Sequence, residues 1–433
     1  MVRLEPVRRW GRRTHSREQR GGQGMSKTDV VVIGAGQAGL SVSHELSAAG
    51  VDHVVLERGH VGETWRGRWD TFCLVTPNWT VRLPGGAYAG DDPDGFMPRD
   101  AIVAHLESYA RSFKAPIREG VTVTALQPTG DGFAMSTSEG ELRSKTVVVT
   151  TGAYQKAYRP AAAATLPPGL YAIDAEKYRN AAALPPGKVL VVGSGQTGCQ
   201  IAEELFEAGR DVFLACGRAP WISRRLGARD FVSWLVETPF FDLALDDLPS
   251  PAARLVANPQ ATGHGGGHDL HYRALQRLGV NLLGHFIGAD STRLHFANDL
   301  AESVAFGDAR YADACVLIQK SCEGRGVASP DLPPPSLFNA AAPPSVDLAG
   351  FGAVIFTSGF RPDYRSWIDA DDAFDGLGFP ITNDGRSTVV PGLYFCGVHF
   401  LRKRKSSIFL GVGEDAAIVA RSITGAVAAR ATS

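Results

Sequence analysis

The feature that most constrains this chain is a unit that occurs twice: a continuous apolar run, a glycine-rich turn, then a helical pattern. In the first copy Val30-Val31-Val32-Ile33 leads into Gly34-Ala35-Gly36-Gln37-Ala38-Gly39, and the helix closes near Gly50. In the second, Val189-Leu190-Val191-Val192 leads into Gly193-Ser194-Gly195-Gln196-Thr197-Gly198, and the helix closes near Gly209. Apolar runs without alternation are buried on both faces, as in a parallel sheet. Both turns have G-x-G-x-x-G spacing in the strand-to-helix context that a dinucleotide-binding turn requires. The first glycine allows the tight turn, the second lets backbone approach a pyrophosphate, and the third lets helix and strand pack closely. The helix N-terminus then offers free N–H groups and a positive dipole to the phosphates. A separation of roughly 160 residues is too long for a solenoid repeat and marks two domains.

The copies differ where their second strands end. Val54-Val55-Leu56 ends in Glu57, whose carboxylate can accept from both hydroxyls of a ribose. An adenosine with a free 2′-OH is expected there, and FAD has one. The equivalent position in the second copy is Cys216, followed by Gly217 and Arg218. With no acid to repel it and an arginine close by, a 2′-phosphate is accommodated, which favours NADPH over NADH. Arg224 and Arg225 are the next candidates for that phosphate, and Arg218 as a solvated loop charge is the plainer alternative. The cofactor contacts expected are Gly34, Gly36, Gln37, Ala38, Gly39, Glu57 and Arg58 for FAD, and Gly193, Gly195, Gln196, Thr197, Gly198 and Arg218 for NADPH.

The expected fold class is therefore α/β, two Rossmann-like dinucleotide-binding domains with the NADPH domain inserted into the FAD domain. Segments near 121–126, 133–137 and 147–151 read as strands returning to the first sheet. Pro/Ala-rich stretches at 159–168 and 181–186 read as linkers. After the Pro-rich stretch 330–344, segments 353–357 and 392–396 read as strands and 414–429 as a closing helix. The expected division is 25–158 with 320–433 for FAD, and 159–319 for NADPH. Residues 1–24 carry seven arginines and end in Gly21-Gly22-Gln23-Gly24. No apolar stretch follows Arg12-Arg13, so a twin-arginine signal fails its second requirement. A disordered tail, with Met25 as the working start, is expected.

Composition narrows the function. Of 433 residues, 44 are Lys or Arg and 45 are Asp or Glu, so the chain carries no electrostatic footprint for nucleic acid. No apolar run approaches the roughly 20 residues a membrane span needs. The six cysteines form no C-x-x-C pair. Scattered thiols suit a reducing compartment, so a cytoplasmic location is expected. They also argue against a flavin disulfide reductase, which needs two nearby thiols to pass electrons onward.

Four further stretches, with the two turns, resemble the class B flavoprotein monooxygenases. That group includes flavin-containing monooxygenases, plant YUCCA-type enzymes, N-hydroxylases and Baeyer–Villiger enzymes. Gly62-Glu63-Thr64-Trp65-Arg66 resembles the family's G-x-x-W segment beside the flavin. Thr151-Gly152-Ala153-Tyr154 resembles its crossing between domains, and Thr357-Ser358-Gly359-Phe360-Arg361-Pro362-Asp363 its ATGFxPD segment. Gly392-Leu393-Tyr394-Phe395-Cys396-Gly397 resembles its final FAD-contacting strand. The resemblance covers about residues 28 to 425. It adds Trp65, Arg66, Thr76, Thr151, Gly152, Gly397 and Gly413 to the expected cofactor contacts. It implies an FAD- and NADPH-dependent monooxygenase that acts on a small organic substrate with O2. In that mechanism NADPH reduces the flavin, O2 adds at C4a, and the (hydro)peroxyflavin transfers one oxygen. An oxidase or dehydrogenase without oxygen transfer is the alternative, and a homodimer is allowed for.

In the family an F-x-G-x-x-x-H segment precedes the second unit, with a Tyr four residues beyond the His. Here Tyr178 is present, but Asp174 stands at the His position. The resemblance makes Asp174 and Asn78 the candidate catalytic residues: Asp174, which cannot donate as that His does and adds negative charge near an anionic cofactor, so that uncoupled turnover releasing hydrogen peroxide is expected, and Asn78 as a donor near the flavin. For Asn78 a turn cap after Pro77 is the equal alternative. His264, His268 and His271 bracket three glycines that prevent a regular helix, so a pocket-lining loop is expected and no metal. Arg402-Lys403-Arg404-Lys405 reads as a solvated face, with an anion-holding role as the alternative. Trp221, Phe231, Trp234, Phe240 and Phe241 read as packing, with a substrate wall as the alternative.

Overall fold

The computed structural model describes residues 26–431; the Arg-rich segment expected as a tail lies outside the described residues. Both repeated units fold as strand, turn and helix: Ser26–Ile33 then Gln37–Ala48, and Lys188–Val192 then Gln196–Glu207. Val30, Val31, Val32 and Val189, Leu190, Val191 are wholly buried, as continuous apolar runs between two helical layers must be.

Each unit sits within its own sheet. The parallel part of the first runs 117–119, 54–57, 26–33, 140–149 and 393–395. Val123–Thr129 and Gly132–Thr137 extend it as an antiparallel meander onto Gly140–Val149. Arg386–Ser387 and Thr382–Asn383 extend the other edge. The second sheet is wholly parallel, in the order 171–174, 351–356, 188–192, 212–215 and 281–283.

One expectation is corrected here. The strand expected at 353–357 to return the chain to the first sheet is Phe351–Phe356, and it lies inside the second, beside Lys188–Val192. Its Ala353, Val354 and Ile355 are wholly buried. Such a run suits the middle of either sheet, and nothing local in it names the sheet. The chain re-enters the first sheet at its edge hairpin, Thr382–Asn383 and Arg386–Ser387, and its parallel part only at Leu393–Phe395. The two crossings between sheets pair with each other: Lys156–Ala157 lies antiparallel to Phe360–Arg361.

The closing helix Val412–Ala431 packs its Val412, Ala416, Val419 and Ile423 against Leu40, Val42 and Leu46 of the first helix. The aromatic residues are core. Trp221, Phe231, Trp234 and Phe241 form one buried cluster with Tyr311, Ile318 and Cys322 of the helix Leu300–Arg325, and Trp221 stacks on Tyr311 at 4.2 Å. Arg224 is not available to a cofactor. Its side chain is 1% exposed, ion-paired to an equally buried Asp230, and donates to the Val75 carbonyl at 2.7 Å. Asp230 also caps the helix Phe231–Val236 through the Val232 N–H.

Removing one member of a buried pair leaves an uncompensated charge. Asp230→Ala should lower unfolding free energy by about 3–5 kcal/mol, measured by urea denaturation. A change under about 1 kcal/mol would show the pair to be energetically neutral.

Candidate functional site

The site begins with the two turns, which are built alike. Gly34 and Gly193 have φ of +108° and +106°, the left-handed region that favours glycine. A Cβ on Gly39 would lie 1.8 Å from the Gly34 carbonyl oxygen, and one on Gly198 would lie 2.0 Å from that of Gly193. The third glycine is thus required by packing alone. The turn carbonyls are held from beneath. Thr150 Oγ1 donates toward the carbonyls of Ile33 (2.7 Å) and Gly34 (3.0 Å). Thr357 Oγ1 does the same for Val192 (3.1 Å) and Gly193 (2.6 Å). These two threonines were missed as site residues. The signal was present, because Thr150-Thr151-Gly152 and Thr357-Ser358-Gly359 are the same T-x-G after an apolar strand.

The middle glycines behave differently. A Cβ on Gly36 would meet no atom within 4 Å, and one on Gly195 only Ala257 Cβ at 3.5 Å. The space in front of them is open, and the first N–H groups of each helix have no intrahelical acceptor. An open cradle before a helix N-terminus fits a pyrophosphate. The residues present therefore fit a dinucleotide at both turns.

The carboxylate of Glu57 is buried and accepts from the N–H groups of Ala35 (2.7 Å) and Gly59 (3.0 Å). Each oxygen keeps a second lone pair for a ribose hydroxyl. Arg58 is exposed and makes no hydrogen bond. Gln37 ties the flavin-side segments together: its Oε1 accepts from Trp65 Nε1 (2.9 Å) and its Nε2 donates to the Ser407 carbonyl (3.1 Å). Trp65 stacks on Phe409 at 5.4 Å. Gly397 (φ +81°) lies against the same turn, since a Cβ there would sit 2.5 Å from Ala38 Cβ. Thr151 Oγ1 and the Gly152 carbonyl both accept from Gln155 Nε2.

Other expected contacts are occupied elsewhere. Arg66 pairs with Glu107 and donates to the Val61 carbonyl. Thr76 Oγ1 accepts from Thr80 Oγ1. Gly413 makes room for Pro84 and Arg82. Asn78 is buried; its Nδ2 donates to the Asp92 carbonyl (2.9 Å) and its Oδ1 accepts from Met97 N–H (2.7 Å), so its amide braces a loop.

In the second unit Ser194 Oγ accepts from Gly217 N–H (2.8 Å), and Gln260 Nε2 donates to the Ser194 carbonyl (2.7 Å). Gln260 Oε1 is buried beside this turn with no donor. Gln196 donates to the Ala261 carbonyl (3.3 Å), while Thr197 makes no side-chain hydrogen bond. Cys216 is wholly buried, and burial pushes its thiol far up, so no charge stands where the acid would be. Arg218 is exposed and has no ion-pair partner. Asp174 ends the edge strand of the second sheet, and both its oxygens accept from Arg159 (2.7 and 3.0 Å). Tyr178 does not face Asp174; its hydroxyl donates to Glu204 at 2.7 Å.

The basic run is not a solvated face. Arg402 binds Asp384 and Asp415, and Lys403 and Lys405 share Asp242. Arg404 stacks on Phe240 (4.4 Å) and Phe400 (5.0 Å). The three histidines diverge. His264 faces Glu207, His268 faces Glu203, and His271 caps the helix Tyr272–Leu278. Among the described residues no group of His, Cys, Asp and Glu converges as a metal cage, and no helix is long and apolar enough to cross a membrane.

Two open phosphate cradles, on the parallel parts of two separate sheets, define a protein built to take two dinucleotides. A family model described as "Pyridine nucleotide-disulphide oxidoreductase" matches residues 31–236. The chain is 31% identical over 392 residues to the "Uncharacterized oxidoreductase CzcO-like" of Geobacillus kaustophilus, covering 90% of this chain and 96% of that one. It is 29% identical over 244 residues to rice indole-3-pyruvate monooxygenase YUCCA4 (Oryza sativa subsp. japonica), covering 48% of this chain and 55% of the relative. A flavin-containing monooxygenase from Stenotrophomonas maltophilia superposes with a TM-score of 0.65 at 18% identity, covering 93% of this chain and 100% of that one. The chain belongs to the class B flavoprotein monooxygenase-like family, and it is a flavin-dependent oxidoreductase whose family cofactors are FAD and NADP(H).

The two kinds of glycine separate by experiment. Gly36→Leu should fold with the melting temperature of the FAD-free unmodified protein and lose FAD, because its side chain enters open space that the pyrophosphate needs. Gly39→Leu should fail to fold, because its side chain meets backbone. Stoichiometric flavin in purified Gly36→Leu would refute the cradle.

Proposed function

We propose that the protein is an NADPH-dependent FAD monooxygenase that places one atom of O2 into a small organic substrate. The observation that carries the NADPH half is the unpaired Arg218 next to the uncharged, buried Cys216. An adenosine ribose docked at the second turn meets no carboxylate there and has a free guanidinium for a 2′-phosphate. Glu57 in the first unit gives the opposite preference, a ribose with both hydroxyls free. The monooxygenase half is supported by family membership and by the thiols. All six cysteines are free, and burial pushes the Cys199, Cys216 and Cys396 thiols up, which suits none of them to a disulfide relay.

When bound, the flavin supplies the electron-transfer and oxygen chemistry. The chain's own residues bind and orient. The Gly34 and Gly193 turns hold two pyrophosphates, Glu57 orients one ribose, and Gln37 locks Trp65 against the first helix. Asn78 acts as a positioning residue through the 92–97 loop. Asp174 acts through Arg159, and that cation offsets the carboxylate's charge. The negative charge expected from replacing the family's His is therefore compensated.

Two measurements test this reading. Arg218→Ala should narrow the NADPH-over-NADH preference in kcat/KM for flavin reduction by about 1.5–3 kcal/mol, the loss of a charge-assisted hydrogen bond. An unchanged ratio would place the 2′-phosphate elsewhere, with exposed Arg225 next in line. Turnover under isotopically heavy O2 with a thioether, a tertiary amine and a cyclic ketone should yield a labelled product from at least one of them. NADPH consumption matched by hydrogen peroxide, with no labelled product, would instead favour an NADPH oxidase.

A further inference from the structure

We propose that Arg68 is the cation that faces the ring end of bound FAD and offsets the negative charge the ring gains on reduction. This rests on the assignment of FAD to the first turn. The strand ends of the first sheet lie in the order Glu57, the Gly34 turn, Val149, Phe395. With the adenosine ribose at Glu57 and the pyrophosphate at the Gly34 turn, an extended FAD continues over the ends of the last two strands. Adjacent strands are about 4.8 Å apart, so the ring lies one to two strands beyond the pyrophosphate.

The residues that leave those two ends meet. Tyr154 follows Gly140–Val149, His399 follows Leu393–Phe395, and their rings stack at 5.3 Å. Tyr154 is 51% exposed, so one face of its ring is open. Arg68 is close enough for its charge to act on the Tyr154 phenol, pulling it down against the upward push of burial. Arg68 comes from the loop just after Trp65, the segment that Gln37 ties to the first turn.

Arg68 has no counter-ion, and unlike exposed Arg179, which donates to the Gly67 and Glu176 carbonyls, it has no carbonyl in its place. Arg66 pairs with Glu107, and Arg99 with Asp70 and Asp100. Arg254, on the far side of His399, pairs with Asp375 at 3.3 Å. The Arg68 guanidinium makes no hydrogen bond, its Nε is buried without an acceptor, and its ring contact is Phe72 at 5.7 Å. Neither of the two stacked rings balances it. Tyr154 stays a neutral phenol, and burial, with Arg254 nearby, lowers His399 to about 4, so it is a neutral ring. Arg68 is half-buried with its Nε inaccessible, and such a partly desolvated cation is left without compensation until a ligand brings the opposite charge. Transfer of a hydride from NADPH delivers two electrons and one proton, leaving NADP⁺ and a ring with one net negative charge. That charge arises in the part of the cofactor nearest Arg68.

The test is a redox titration of the holoprotein with Arg68→Met and Arg68→Lys. Arg68→Met should keep oxidised FAD with Kd within about threefold, while reduced FAD binds tenfold or more weakly; each tenfold corresponds to about 30 mV of lower midpoint potential for a two-electron couple. Arg68→Lys should restore most of the potential. A second reading needs no variant. Reduced by dithionite at falling pH, the unmodified holoprotein should keep the absorbance of the anionic reduced ring to a lower pH than free reduced FAD does. An unchanged midpoint in Arg68→Met, or protonation at the pH of free reduced FAD, would overturn the proposal. So would loss of oxidised FAD alone, which would assign Arg68 to the pyrophosphate, or loss of NADP⁺ affinity alone. Absence of FAD from the unmodified protein would instead overturn the cofactor assignment beneath it.

Discussion

Both halves of the molecule depend on one close contact, the carbonyl of a left-handed glycine pressed against a helix that has no Cβ to meet it. At Gly34 and Gly39, and again at Gly193 and Gly198, a Cβ on the later glycine would fall 2.0 Å or less from the earlier carbonyl. That carbonyl also takes a threonine hydroxyl from the neighbouring strand. The turn is thereby pinned on its inner side by packing and on its lower side by a hydrogen bond. Its N–H groups and the open space before Gly36 and Gly195 are left facing outward. A binding surface made of backbone needs this rigidity, because backbone dipoles aid a phosphate only when they do not have to reorganise to meet it.

Much of this was legible in the sequence because it is local. Gly34, Gly36, Gly39, Glu57 and their second-unit counterparts lie within one strand-turn-helix-strand unit, where spacing fixes geometry. What was not legible is long-range. The strand Phe351–Phe356 belongs to the second sheet because of the partners beside it, and an all-apolar strand carries no mark of which sheet receives it. Asn78 looks the same in sequence whether its amide faces a flavin or braces the 92–97 loop. The basic run Arg402–Lys405 is surface-like by composition, yet Asp242, Asp384, Glu414 and Asp415 converge on it from three other segments of the chain. Arg68 escaped notice for the same reason. An absent counter-ion is a property of the whole neighbourhood, and the residue alone does not disclose it.

The description of the matching family model includes disulphide reduction, and the thiols decide how far that extends to this chain. Disulfide exchange needs a thiolate that is accessible and lowered in pKa. Here five of the six cysteines are buried, Cys315 is half-buried, and every thiol shift the structure resolves is upward through loss of solvation. The shared feature is therefore the pair of dinucleotide sites. The chemistry beyond flavin reduction has to come from what reaches the flavin, and no thiol in this chain is prepared for that role.

The manner in which the units are joined explains why the two resembling segments at 151–154 and 357–363 carry so much of the family likeness. The chain leaves the first sheet after Val149 and leaves the second after Phe356, and in each case the next residue is the threonine that holds the glycine turn. The outgoing and returning segments then pair, Ala157 with Phe360 and Lys156 with Arg361. Further contacts fasten the ribbon: Tyr158 N–H donates to the Gly359 carbonyl, Asp363 N–H to Gln155 Oε1, and the Arg361 guanidinium lies over the Tyr158 ring at 4.3 Å. A single covalent linker would leave the second cradle free to swing. Two strands hydrogen-bonded to each other resist twisting and permit bending chiefly about one axis. Each end of this ribbon begins beside a phosphate cradle, at Thr150 and at Thr357, so the two residues that hold the glycine turns also fix where the ribbon starts.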